Sequence, residues 1–83
     1  MATEEEFKQA VERSRSLPKN LTNDQLLALY GLFKQASVGD VTGKRPGMFD
    51  LKGRAKHDAW GKQKGKTQDE ARDAYIALVD SLG

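Results

Sequence analysis

Lys34 stands four residues after Tyr30 and seven after Leu27, so a helix carrying all three lays an ammonium group among apolar and aromatic side chains. With Leu26 as the origin of a helical projection, Tyr30 falls at about 40°, Lys34 at about 80° and Leu27 at about 100°, within an apolar arc of about 220°. That arc is wider than one packing face requires. Lys52, Lys56 and Trp60 repeat the arrangement downstream, at about 0°, 40° and 80° of their own helix. A single lysine so placed ordinarily snorkels, its stem on apolar surface and its ammonium in water. Three of them on two helices suit a ligand with an anionic head and a greasy body, because phosphates take charge-assisted hydrogen bonds while the tail is desolvated nearby.

Other chemistries find less support. Gly61-Lys62-Gln63-Lys64-Gly65-Lys66-Thr67 resembles a nucleotide phosphate loop but has three residues between its glycines where four are needed, and no strand precedes it. It reads as a basic interhelical loop. His57 has no cysteine to share a metal with, and no serine lies in a Gly-x-Ser-x-Gly elbow, so the expectation is a protein that is not an enzyme. Tyr75 reads equally as a core tyrosine with its hydroxyl at the surface or as a ligand contact.

These side chains need helices to position them, and three helix starts carry the same signature. Thr3-Glu4-Glu5-Glu6, Thr22-Asn23-Asp24-Gln25 and Thr67-Gln68-Asp69-Glu70 each fit the capping box, with Leu21 and Leu26 at the staple positions of the second. Glu4, Glu5 and Glu6 also suit the positive end of a helix dipole. Phe7, Ala10 and Val11 give the first helix an apolar face, and Ala71, Ala74, Tyr75, Leu78, Val79 and Leu82 give one to the last. Leu17-Pro18-Lys19-Asn20 stops the first helix, since a proline disfavours helical geometry in the residue before it. A further helix spans 51 to 62 with Asp50 as its cap, against the weakening effect of Gly53. The spacing predicts an all-α domain over residues 1–83, with helices over 3–16, 23–38, 51–62 and 67–82 and no strand.

A chain of 83 residues with 14 basic and 12 acidic side chains has a formal charge of only +2, and it is too small for a deep enclosed site. Residues 41–66, however, hold eight basic and two acidic groups, a local charge of +6, between acidic flanks. The absence of cysteine argues against a secreted disulfide scaffold and for the cytoplasm. No apolar run is long enough for a membrane span, and the acidic start Met1 to Glu6 is unlike a signal peptide.

The block Tyr30-Gly31-Leu32-Phe33-Lys34-Gln35-Ala36-Ser37-Val38-Gly39-Asp40, followed by Arg45-Pro46-Gly47-Met48, Lys52-Gly53-Arg54-Ala55-Lys56 and Asp58-Ala59-Trp60, resembles the acyl-CoA-binding protein family, and the resemblance runs from Phe7 to Val79. It implies a four-helix bundle with up-down-down-up topology. It further implies a monomeric cytoplasmic carrier that binds, protects and transports medium- to long-chain acyl-CoA thioesters in fatty acid metabolism. Such a carrier needs no cofactor or metal beyond that ligand and makes transient contacts with acyl-CoA-producing or acyl-CoA-consuming enzymes or membranes. By position, Tyr30, Lys34 and Lys56 resemble the residues that hold the 3′-phosphate of the CoA ribose. Phe33 and Tyr75 would lie against the adenine or pantetheine, Lys52 and Arg15 would complete the basic rim, and Leu27 would line the acyl path. Phe33 stands where many members have tyrosine, His57 replaces a common tryptophan, Leu21 a common proline, and Ser14 an apolar residue that would pack the first helix on the last. The lack of a basic tail after Gly83 touches none of the mapped positions.

Two other classes fit the charge pattern. One is a small helical nucleic-acid-binding module using residues 41–66 as an electrostatic footprint; the other is a protein-interaction domain using the wide arc of the second helix as a groove. Lysines alternating with Tyr, Trp and Ala on inward arcs oppose the first, since a phosphate-backbone binder displays its cations on an exposed face, and no nucleic-acid partner is expected.

Overall fold

Four helices form in the computed structural model, which describes residues 2–18 and 20–83: α1 (Glu4–Ser14), α2 (Asn23–Ser37), α3 (Leu51–Gly61) and α4 (Gln68–Leu82). Met1 of the acidic start and Lys19 of the expected helix stop lie outside the described residues. All three capping boxes form: Thr3, Thr22 and Thr67 accept from the backbone N–H of Glu6, Gln25 and Glu70, and those three side chains reach back to the cap backbone. Asp50 caps α3 by accepting from Gly53 N–H, so the glycine that weakens the helix also leaves room for the capping carboxylate.

α1 ends earlier than the spacing predicts. The Ser14 hydroxyl donates to the Val11 carbonyl at 2.6 Å, and the N–H groups of Arg15, Ser16 and Leu17 turn to carbonyls three residues back. The helix tightens into its last turn ahead of Pro18, and the serine at an expected apolar position is satisfied locally.

Cross-contacts set the directions. Glu4 meets Arg72 at 3.8 Å and Arg13 meets Asp80 at 3.0 Å, so α1 and α4 run parallel. Phe33 lies beside Tyr75 while Gln35, further along α2, donates to the Lys66 carbonyl before α4, so α2 and α4 run antiparallel. Lys56 pairs with Tyr30 and Trp60 with Lys34, so α2 and α3 run parallel. The topology is up-down-down-up. α2 packs on both α4 and α3, whereas α1 packs chiefly on α4 and meets α2 through the stacked rings of Phe7 and Phe33, which explains an apolar arc on α2 too wide for one partner.

The core consists of Phe7 and Ala10 from α1, Leu29, Leu32 and Ala36 from α2, and Ala71, Tyr75 and Val79 from α4. α3 lies on the far side of α2 and buries only Ala59 and Trp60. No described helix is long and apolar enough to cross a membrane.

Candidate functional site

Parallel packing of α2 and α3 brings two cation–aromatic pairs side by side. The Lys34 ammonium of α2 lies 4.9 Å from the Trp60 ring centroid of α3, and the Lys56 ammonium of α3 lies 5.6 Å from the Tyr30 ring centroid of α2. Each helix supplies one cation and one aromatic. At such partly exposed positions each contact contributes about 0.5–1 kcal/mol, enough to orient a lysine without consuming its charge. Among the described residues every ion pair is made by an arginine: Arg13, Arg15, Arg45 or Arg72. Lys34, Lys52 and Lys56 therefore make no ion pair among the described residues.

Hydrogen bonds hold this arrangement from behind. Trp60 Nε1 donates to the Gly39 carbonyl at 2.7 Å, at the point where the chain leaves α2 with a φ of 101° that favours glycine. Gln35, fully buried, donates from Nε2 to Asp40 Oδ1 at 2.8 Å and to the Lys66 carbonyl at 2.7 Å. The Gly65 N–H also donates to Asp40, and these two bonds hold the Asp40 carboxyl below its ordinary range, the backbone donor most and Gln35 next. The segment between α2 and α3 is pinned by a bidentate pair of Arg45 with Asp58, at 3.0 and 2.7 Å, which likewise lowers the Asp58 carboxyl.

An apolar cleft opens on each side of the lysines. One, of about 450 Å³, lies between the N-terminal halves of α2 and α3 and is lined by Leu26, Leu27, Leu51, Ala55 and the stems of Lys52 and Lys56. The other, of about 570 Å³, lies between α1 and the C-terminal half of α2 and includes Phe7, Val11, Phe33 and Ala36. Tyr30 and Lys34 sit on α2 between them, as expected from a single helix serving as the floor of a trough.

The residues singled out from the sequence fall into three groups. Tyr30, Lys34, Lys52, Lys56 and Leu27 come together along the α2–α3 seam. Phe33 lines the α1–α2 cleft, its ring 6.0 Å from Phe7 and 6.3 Å from Tyr75. Tyr75 is 4% exposed and packs edge-on against Phe7 at 5.3 Å, so its ring belongs to the core. Arg15 follows α1 on the same side as Lys8, Val11 and Glu12, which line the α1–α2 cleft, and pairs loosely with Glu12 at 3.7 Å. Arg15 itself lines neither cleft and is not brought to the α2–α3 seam by any contact among the described residues.

Leu26, Leu51, Phe7 and Val11 also line the clefts, beyond the site residues that the sequence predicts. Leu26, at a staple position opposite Leu21, is 50% exposed and lines the α2–α3 cleft, while Leu21 packs against the core. Its place at the centre of the arc, flanked by Tyr30 and Phe33, was the available signal. No described group of three His, Asp or Glu side chains is arranged to hold a metal ion.

The family model described as "Acyl CoA binding protein" matches residues 4–79. The acyl-CoA-binding protein homolog of Drosophila melanogaster is 51% identical over 78 residues, covering 94% of this chain and 91% of that protein. The acyl-CoA-binding protein of Ricinus communis is 48% identical over 82 residues, covering 99% and 91%. The crystal structure of Oryza sativa acyl-CoA-binding protein 2 superposes with a TM-score of 0.92 at 49% identity, covering 94% of this chain and 87% of that one. Helix order, lysine–aromatic seam and these similarities agree, and the chain belongs to the acyl-CoA-binding protein family.

Proposed function

We propose that residues 1–83 act as a single acyl-CoA-binding domain, a non-enzymatic carrier that binds, protects and transports medium- to long-chain fatty acyl-CoA thioesters in the cytoplasm. The observation that carries this reading is the pair of lysines, free of carboxylate partners and held against aromatics, between two apolar clefts. A ligand with phosphates in its middle, an aromatic base at one end and a hydrocarbon chain at the other matches that order. Lys34, Lys56 and Tyr30 hold the ribose 3′-phosphate. The adenine lies in the α1–α2 cleft against Phe33, with Arg15 and Lys52 supplying further positive charge along the rim. The acyl chain enters the α2–α3 cleft along Leu27. The Tyr75 hydroxyl makes no hydrogen bond to a described protein group, and it serves as a ligand contact from the edge of the core.

The carrier works as a monomer, takes up no metal or further cofactor, and leaves its cargo chemically unchanged. It meets acyl-CoA-producing and acyl-CoA-consuming enzymes or membranes only transiently. The relatives described above give no support to a nucleic-acid-binding or protein-interaction module.

Calorimetric titration of free CoA and palmitoyl-CoA tests the reading. The ester binds far more tightly, because burying hydrocarbon adds up to about 0.8 kcal/mol per methylene until the cleft is filled. Equal affinities for the two would reject it, as would native mass spectra of protein purified from cells that show no retained acyl-CoA.

A further inference from the structure

Folding leaves an apolar tip beside the mouth of the α2–α3 cleft. Asp50 N–H donates to the Gly47 carbonyl at 2.9 Å, closing a turn with Met48 and Phe49 at its two central positions. Those positions project side chains away from the body of the protein, and Met48 and Phe49 are 69% and 95% exposed. Leu51 and Leu26, which line the cleft, are 73% and 50% exposed and extend the patch. The turn is firmly mounted, with the Asp50 carboxylate capping α3 and Arg45 gripping Asp58 through two hydrogen bonds.

The charge around the tip identifies its occupant. Lys44 and Lys52 are exposed on either side of the turn and make no ion pair among the described residues, while Asp50 is engaged at the positive end of α3 and Asp58 is neutralised by Arg45, which leaves Asp24 at the start of α2 as a carboxylate of that side without an ion pair among the described residues. A convex apolar turn flanked by free cations is complementary to a bilayer of negative surface charge, where apolar side chains enter the interface and lysines meet headgroups. A groove-bound partner would need a concave surface, and Phe49 stands clear of one.

We propose that the Gly47–Asp50 turn is a docking tip for anionic lipid bilayers, with Met48 and Phe49 inserted and Lys44 and Lys52 on the headgroups. Docking this way points the mouth of the α2–α3 cleft at the acyl region, so hydrocarbon can pass between bilayer and cleft with little exposure to water. That use rests on the carrier reading; the docking itself does not.

Co-sedimentation of the full chain with vesicles of phosphatidylcholine alone and of phosphatidylcholine with phosphatidylserine is the test. The expected result is binding to the anionic vesicles that weakens at high salt and falls at least tenfold in Phe49→Asp, with a smaller loss in Lys44→Glu. Phe49→Trp should show a blue-shifted emission on anionic vesicles only, whereas Phe49→Asp keeps its melting temperature and its affinity for palmitoyl-CoA in solution. Absence of binding to anionic vesicles overturns the proposal, as does undiminished binding of Phe49→Asp. A lipid-free dimer that Phe49→Asp dissolves would assign the tip to a second copy of the chain and also overturn it. Vesicle binding without any palmitoyl-CoA binding would overturn the carrier reading and leave the docking tip standing.

Discussion

Gly31 of α2 faces the Ala59 carbonyl of α3 so closely that a β-carbon at Gly31 would overlap the carbonyl oxygen. Only a residue without a side chain permits this approach. The contact sits between the Tyr30–Lys56 and Lys34–Trp60 pairs and sets the separation at which both can form.

Gly31→Ala should therefore cost about 1–3 kcal/mol, the usual range for an overpacked interface. For a domain of this size each kilocalorie lowers the melting temperature by about 4–8 °C, which thermal denaturation will register. Palmitoyl-CoA affinity should fall with it, because α3 must move away from α2. An unchanged melting temperature would contradict the close contact.

Lys34→Ala and Lys56→Ala should each remove a charged hydrogen bond of about 1.5–3 kcal/mol, weakening acyl-CoA binding about tenfold or more. Both lysines are free of protein ion pairs, so the fold should lose little. Calorimetry with palmitoyl-CoA checks the first statement and a melting curve the second. Unchanged affinity in both variants would remove these lysines from the site.

Leu27→Ala separates the two ends of the ligand. It truncates the wall of the α2–α3 cleft, so palmitoyl-CoA affinity should drop while free CoA binds as before. The gain in affinity per added methylene, measured over a series of chain lengths, should shrink below about 0.8 kcal/mol. A variant that binds free CoA and palmitoyl-CoA in the same ratio as the unaltered protein would place the acyl chain elsewhere.

Gln35→Ala should destabilise the fold by about 1–3 kcal/mol, since it leaves the Lys66 carbonyl without its buried donor and takes from Asp40 Oδ1 one of its two donors. Hydrogen exchange at Gly65 N–H, which also binds Asp40, should quicken by more than exchange within α1. Equal changes at the two places would deny Gln35 a local role.

Asp40, Asp58 and Glu70 are all held below their ordinary values, by the Gly65 N–H, by Arg45 and by the Thr67 backbone N–H respectively. A carboxyl that is more acidic folded than unfolded adds stability above its unfolded value and loses it as pH falls toward its folded value. With ordinary values of 3.8 for Asp and 4.5 for Glu, urea midpoints should stay level from pH 7 to about 5 and then decline steadily with further acidification. Asp40→Asn should lower the neutral plateau and make the acid decline shallower; an identical decline in both proteins would exclude Asp40 as a contributor.

Local chemistry was readable in the sequence because its partners lie within one helical turn. Thr3, Thr22 and Thr67 find their capping partners three residues on, and Asp50 finds Gly53, whatever the rest of the chain does. The placing of Lys34 and Lys56 on apolar arcs followed from the helical period alone, and the Tyr-x-x-Phe-Lys-Gln-Ala block carried the family.

Tertiary structure decided which aromatic each lysine meets, since that depends on the parallel register of α2 and α3 and on the close approach at Gly31. It also decided that Gln35, a polar residue ordinarily left at the surface, is the fully buried tie between the end of α2 and the start of α4. Tyr75 became a core ring and Leu26 a cleft wall for the same reason. A helical period tells which residues share a face, but only the packing of one helix on another determines whether that face is covered by a neighbour or left open to a ligand.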